Sequence, residues 1–465
     1  LDSAPTTNAV LNHLQQQIAP RLDNCGNNEI KQFLRALSGK FVPAGPSGAP
    51  TRGRLDVLPT GRNFYSVDTR SIPTRTAYEL GQKSADQLIM RHLQQHGDYP
   101  KTLGLSVWGT STMRTGGDDI AQAFALMGVE PIWEAFSGRV IDFKVIPAMQ
   151  LNRPRVDVTL RISGFFRDAF PNVMRLFDSA VQVIADYEDP AGLNPIRDQI
   201  QKDQALLEQK GLDKQQARKQ AGFRVFGSKP NSYGAGLQGL IDERCWDDKE
   251  DLAAAYVNWG GYAYSQQQKG DEIGENAQAL FEHRLAGLEV VVQNQDNREH
   301  DLLDSDDYYQ FQGGMSNAIQ VLSGEAPQVY HGDHSNPEAP KIRTLEEELN
   351  RVIRARVLNP KWIKGMQRHG YKGAFEMAAT VDYLFAYDAT TSLIKDYQYE
   401  NVTDCYLLEE KNKTFLEENN PQAMKEMAER LLEAIQRGLW ENPLEYQNKI
   451  ENILLELDER EENSL

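Results

Sequence analysis

Histidine and carboxylate side chains crowd into two neighbouring stretches of this chain. Residues 298–307 read REHDLLDSDD, and residues 330–335 read YHGDHS after a Gly313-Gly314 break. Between them they hold three of the chain's eight histidines (His300, His331 and His334) and the acids Glu299, Asp301, Asp304, Asp306, Asp307 and Asp333. Imidazole and carboxylate groups bind divalent transition metals, and both move protons near neutral pH. Either use makes this region the chemical centre of the chain. The first stretch reads as a metal-ligand loop or as a set of helix caps on a solvated face. The second is sharper, because His331 and His334 flank Asp333 in a turn bounded by Pro327 and Pro337, where side chains converge easily. A short His-x-x-His is nonetheless a weaker pattern than a zinc finger.

Such groups need a scaffold, and the preceding sequence predicts an α/β one. Leu103–Trp108 reads as a buried strand that runs into a glycine-rich turn, Gly109 to Gly117. Asp118 then caps a helix carrying Ile120, Phe124 and Met127. In a second unit Val156, Val158, Leu160 and Ile162 alternate as in a half-buried strand, and Ser163-Gly164 leads to a helix with Val173, Phe177, Ala180 and Ile184. Strand–loop–helix repetition predicts a parallel sheet with helices on its faces, and such sheets bind ligands at the carboxyl ends of their strands. The glycine-rich turn can hold an anion on its backbone N–H groups, or simply connect strand to helix. It matches neither the Walker nor the dinucleotide pattern, so no Walker-type ATP site is expected. Arg167-Asp168 reads as an ion pair or an anion contact.

The fold class is therefore α/β: a Rossmann-like parallel-sheet region, then mixed α/β, then a largely helical C-terminal region. Four parts are expected: a helical segment and loop over 1–57, the Rossmann-like domain over 58–195, a mixed region with the His/Asp-rich segments over 196–343, and helices over 344–465. The first helix shows apolar spacing at Val10, Leu11, Leu14 and Ile18, then Ile30, Phe33, Leu34 and Leu37; residues 42–50 read as a loop. Residues 196–222 are rich in Gln and Lys and read as an exposed helix. Thr344 and Glu347 form a capping-box pattern ahead of Leu345, Leu349, Val352 and Ile353, and the pattern stops at Asn359-Pro360. Another helix, entered through Asn420-Pro421, buries Met424, Met427, Leu431 and Ile435. His13, His92, His96 and His283 lie in helical patterns as structural or exposed residues, and His369 follows a helix as a cap.

The 465 residues suffice for roughly two to four domains. With 40% apolar and 25% charged residues the composition is that of an ordinary globular protein. A net charge of −17 argues against nucleic acid, because no basic stripe can neutralise phosphates. Cys25, Cys245 and Cys405 show neither metal spacing nor a disulfide framework, which points to a reducing, cytoplasmic compartment. No apolar run approaches the roughly 18–20 residues that cross a bilayer, and no signal peptide is visible. The chain starts at Leu1 and reads as a piece of something longer.

Several long motifs, in order, resemble the large subunit of cobaltochelatase. They are LPTGRNFY at 58–65, WGT at 108–110 with RTGGDD at 114–119, ISGFFRD at 162–168, FGSKP at 226–230 and WGGYAY at 259–264. The His300–Tyr309 and Tyr330–Ser335 stretches follow, then NPKW at 359–362 and HGYKGA at 369–374. The resemblance covers nearly everything beyond Phe41 and matches about the C-terminal third of that family's members. It implies insertion of Co2+ into the corrin hydrogenobyrinic acid a,c-diamide, with ATP hydrolysed by an AAA+ subunit and its companion rather than by this chain. It also implies roles: His300, Asp301 and Asp304 in metal delivery or proton abstraction, and His331 and His334 as further ligands or bases. Trp108, Arg114, Gly116, Gly117, Arg167 and Tyr262, with Tyr264, are expected to contact the corrin. The alternatives are a magnesium chelatase large subunit acting on protoporphyrin and a docking fragment for the motor subunits.

Overall fold

The computed structural model describes residues 5–65, 67–266 and 274–464. Among the described residues the main sheet has eight strands: β1 Thr102–Val107, β2 Asp157–Ile162, β3 Val225–Gly227, β4 Tyr262–Ala263, β5 Glu275–Asn276, β6 Val290–Gln295, β7 Gln328–Asp333 and β8 Lys341–Thr344. Their spatial order is β8-β7-β6-β1-β2-β3-β4-β5. The five strands from β7 to β3 run parallel. Antiparallel pairing closes both edges, with β8 on β7 and β4 and β5 beyond β3. The sheet thus takes strands from both sides of residue 195.

Helices pack on both faces, as parallel pairing requires. The helices Arg75–His96, Asp118–Met127 and Pro171–Ala185 bury one face through Leu88, Phe124 and Phe177. The helices Lys249–Gly260 and Gly314–Ser323 bury the other through Tyr256 and Met315, and Tyr371–Thr391 extends that core through Phe385. Val290 and Val292 point into the first core and Val291 into the second, the alternation that period-two geometry dictates. This double cover corrects the half-buried reading of β2, whose six residues are all buried. Asp157, at its start, is enclosed with Arg224 at 2.7 Å and Arg284 at 2.7 Å. Burial alone would raise this carboxyl, but the two guanidinium groups hold it below its ordinary value.

Other local expectations divide. The Thr344–Glu347 capping box forms, and Asn420 caps Pro421–Gln436, which buries Met424, Met427 and Leu431. Residues 195–221 form two helices, Pro195–Gln209 and Lys214–Ala221, each burying a small apolar face. The N-terminal helical stretch is present, yet Ile30, Phe33, Leu34 and Leu37 are exposed. Its loop at 42–50 contains a short strand, Ala44–Pro46, paired with Asn63–Tyr65. Among the described residues no helix is long and apolar enough to cross a membrane.

Candidate active site

The parallel strands end on one side of the sheet, and their following loops build a cavity there of about 390 Å³. β1 delivers Trp108 one residue past its end. The chain then turns into a short helix, Gly109–Thr115, rather than an open glycine-rich loop, and this places Thr110, Ser111 and Arg114 on the cavity wall. β6 contributes Asn294 from its last residues and Asp296 just beyond. Residues 300–308 close the remaining side with His300, Asp304, Ser305, Asp307 and Tyr308. Open α/β sheets bind ligands in this position because strand-end loops diverge and leave a crevice.

The charges in the cavity are arranged by neighbours. Arg114 holds Asp296 through two hydrogen bonds of 2.8 and 2.9 Å, and its own side chain stays half-exposed. Burial would raise Asp296, but the paired Arg114 holds it below its usual value. His300 is exposed and its Nδ1 lies 3.2 Å from the Tyr308 hydroxyl. Its backbone carbonyl accepts from the Gln295 side chain, which pins the start of the loop. Asp304 receives Arg356 Nη1 at 3.0 Å and the backbone N–H of Asp301 at 2.9 Å. Burial and the adjacent Asp301 nevertheless push Asp304 upward. Asp307 is exposed as a residue, yet enclosure of its carboxylate and the neighbouring Asp306 push it up to about 6. Trp108 rests on Phe311, with ring centroids 4.3 Å apart.

Several expected site residues stand elsewhere. Asp301 does not line the cavity; both its oxygens are taken by Arg356, at 2.7 and 2.9 Å. His331 and His334, expected as further ligands or bases, do not line it either. His331 lies inside β7, fully buried, with Nε2 3.2 Å from Gln295 Oε1. Burial pushes it down to about 4, so it is neutral near pH 7. His334 is buried under the N-terminal segment. Gln122 Nε2 donates to Ser84 Oγ at 2.9 Å, and Ser84 Oγ in turn lies 2.8 Å from His334 Nε2. Its Nδ1 lies 3.7 Å from Asp118 Oδ2. Asp118 is therefore no helix cap: it is buried and paired with Arg52 at 2.5 Å, while Arg52 also donates to the His334 carbonyl.

Gly116 and Gly117 make a turn rather than an anion cradle. Both have positive φ, and added Cβ atoms would strike the Thr74 side chain at 2.8 Å and Ile72 Cγ2 at 2.6 Å. Arg167 is buried, pairs with Asp168 and donates to the carbonyls of Ser228, Lys229 and Ser232, tying down the 228–232 loop. Tyr262 sits in the edge ladder of β4, and Tyr264 is buried with its hydroxyl on the Ser228 carbonyl. His369 stands at the C-cap of Pro360–Arg368, as its place after a helix suggested. Among the described residues no group of three or more His, Cys, Asp or Glu side chains is arranged to hold a metal.

Sequence reasoning missed Asn294 and Asp296, although the VVVQNQD run marked a strand end. Behind Asn294, its amide donates to Asp119 at 2.8 Å, and burial pushes that carboxyl up to about 7. Arg356 was missed as well. Nothing in its helical spacing shows that it reaches across to Asp301 and Asp304.

This arrangement defines a class: a doubly covered α/β sheet whose strand-end crevice mixes one exposed imidazole, two raised carboxyls and an aromatic wall. Residues 2–447 match the CobN/Magnesium Chelatase family, and the chain belongs to it. It is 59% identical over 97% of its length to the aerobic cobaltochelatase subunit CobN of Pseudomonas aeruginosa, of which it spans 36%. It is 32% identical over 93% of its length to the H-type magnesium-chelatase subunit of Chlorobaculum parvum, spanning 33% of that protein. A solved structure, the catalytic subunit of cobaltochelatase from Mycobacterium tuberculosis, superposes with a TM-score of 0.88 at 50% identity, covering 97% of this chain and 37% of the other. The chain thus spans about a third of the length of these relatives.

Proposed function

We propose that this chain is the metal- and tetrapyrrole-handling part of a cobaltochelatase large subunit, inserting Co2+ into hydrogenobyrinic acid a,c-diamide. The observation that carries this reading is the strand-end cavity joining Trp108 and Arg114 to His300, Asp304 and Asp307. AAA+ partner subunits hydrolyse the ATP, and this chain contains no Walker pattern of its own.

Insertion has three demands: the ion sheds water, two ring N–H protons leave, and the ring is held while metal–nitrogen bonds form. The exposed His300 imidazole is a transient ligand for the incoming ion, a donor type that suits cobalt. A substrate ion has to leave its carrier, so few fixed ligands serve better than a closed cage. Asp304 and Asp307 accept the ring protons, and a carboxyl poised at about 6 can take a proton and return it to water near neutral pH. Asp301 acts as a positioning residue, because it shares Arg356 with Asp304. Trp108, backed by Phe311, offers a flat apolar wall to the ring edge, and Arg114 a guanidinium to a rim carboxylate or amide. The cavity takes an edge of the macrocycle rather than the whole, so further cover comes from elsewhere in the complex. His331 and His334 serve the scaffold instead of the metal.

Replacing His300 by Ala in the full-length protein, assembled with its partners, is expected to lower cobalt insertion about a hundredfold. Wild-type insertion rates in a folded H300A complex would overturn the assignment. The magnesium reading is disfavoured by the lower identity to the magnesium-chelatase relative, 32% against 59% for the cobaltochelatase one. Tryptophan-fluorescence titration with a corrin and with a porphyrin separates the two, since a cobalt enzyme quenches with the corrin.

A further inference from the structure

A second cavity, of about 900 Å³, lies against the β8 edge of the sheet and shares no residue with the candidate active site. Its walls come from Arg75–His96, β8, the helix Leu345–Val352 with its continuation to Val357, and Asp396–Thr403. Five cationic side chains converge on it: Arg91, Lys341, Arg343, Arg351 and Arg354. One acid, Glu347, shares the wall. On a chain with net charge −17 this concentration is a local exception, not a sample of a generally basic surface.

The cluster has an internal anchor. Glu348 is fully buried behind the wall and accepts from Arg298 at 2.8 Å, Arg343 at 3.2 Å and Arg351 at 2.6 Å. Burial alone would raise this carboxyl, but the hydrogen-bonded Arg351 and Arg298 hold it at about 2. One buried anion therefore fixes several arginines without consuming them. Arg343 engages Glu348 and Asp333 through Nη1 alone. Arg351 uses Nε and Nη2. Lys341 and Arg354 have no carboxylate partner in the ion pairs formed among the described residues. Preorganised guanidinium forks beside an unpaired ammonium fit tetrahedral anions closely.

We propose that this cavity is a binding site for a small anion bearing several linked phosphates. Linked phosphates concentrate several charges within a single cavity of this size. An extended acidic peptide instead spaces same-face carboxylates by roughly 6.6–6.8 Å along a strand. Asn350, beside Arg351, and Tyr397, Gln398 and Asn401 from the helix Asp396–Thr403 add uncharged polar groups to the wall that can face an attached organic group.

The test is calorimetric titration of the full-length protein with inorganic tripolyphosphate, in wild type and in the Lys341→Glu/Arg354→Glu double variant. Both side chains are exposed, so their reversal leaves the core untouched. Saturable wild-type binding, weakened about tenfold or more in the double variant and unchanged in a Lys411→Glu control, an exposed residue that does not line the cavity, is the expected result. Arg354→Gln, the milder change, should weaken it less. Three results would overturn the proposal: no saturable binding at millimolar tripolyphosphate, equal binding by the folded double variant, or tighter binding of a deca-glutamate peptide than of tripolyphosphate.

Discussion

Residues 296–308 and 328–335 carry the same chemistry on paper, histidine beside aspartate around a parallel strand, and the fold uses them differently. In the first, β6 has already ended at Gln295, and the following residues hang in the crevice, where His300 faces solvent, burial and Asp301 push Asp304 upward, and Asp307 reaches about 6. In the second, His331 is still in the ladder, flanked by β6 on one side and β8 on the other, so its ring packs into protein. His334 lies one residue past β7, but Arg52 and the helix Arg75–His96 cover that strand end. Where a residue falls relative to its strand's last hydrogen bond, and what lies over that end, decides whether imidazole becomes a reagent or a structural part.

If that contrast is right, the largest change on the buried side comes from breaking its charge pairing. Arg52→Ala strands Asp118 in a dry site and should cost about 3–5 kcal/mol of stability in urea unfolding. A loss near zero would mean that the N-terminal segment is not holding His334's cover in place.

Next comes pH. His331 is held at about 4 when folded, below the 6.5 of a solvated imidazole, so the folded state disfavours its charged form. Its contribution is complete above pH 6.5 and is lost as pH falls toward 4, on the order of 3 kcal/mol in all. Unfolding midpoints across that window should fall steeply in wild type and less steeply in His331→Gln. His92, also held at about 4, keeps a residual slope in both. Identical slopes would place His331 in water rather than in the sheet.

On the open side the expected pattern reverses, with activity lost and stability kept. His300→Ala, down about a hundredfold in insertion, should unfold at the wild-type urea midpoint. A matching drop in stability would make His300 structural too. The smallest effect sharpens the picture further. With Asp307 at about 6 and active as a base, insertion should rise about tenfold between pH 5 and 7, and Asp307→Asn should flatten that limb. A limb that survives in Asp307→Asn assigns it to another group.

Much of the scaffold was readable without coordinates because the signals are local. Apolar runs gave β1 and β2, the capping pair at Thr344 and Glu347 and the Asn420-Pro421 step marked helix starts, and Asn359-Pro360 marked a helix end. Less of the site was readable. His300 and Asp304 were picked out with Trp108 and Arg114, and these four do share a wall. Asp301, Arg167, Gly116 and Gly117 had the right types but spend their polar atoms, or their missing side chains, on loops and neighbours. Asp296, Asn294 and Arg356 carried no spacing that marked them.

Residue chemistry and periodicity, both properties of neighbours along the chain, settled the α/β class, the helix starts and the pool of groups able to bind a metal or move a proton. Which members of that pool face the cavity was decided by strand order and by what covers each strand end. Those depend on contacts between residues far apart in sequence, such as Arg356 with Asp301 and Arg52 with Asp118. An isolated stretch cannot encode them, because the energy that turns a side chain inward or outward comes from burial against partners it meets only once the chain has folded.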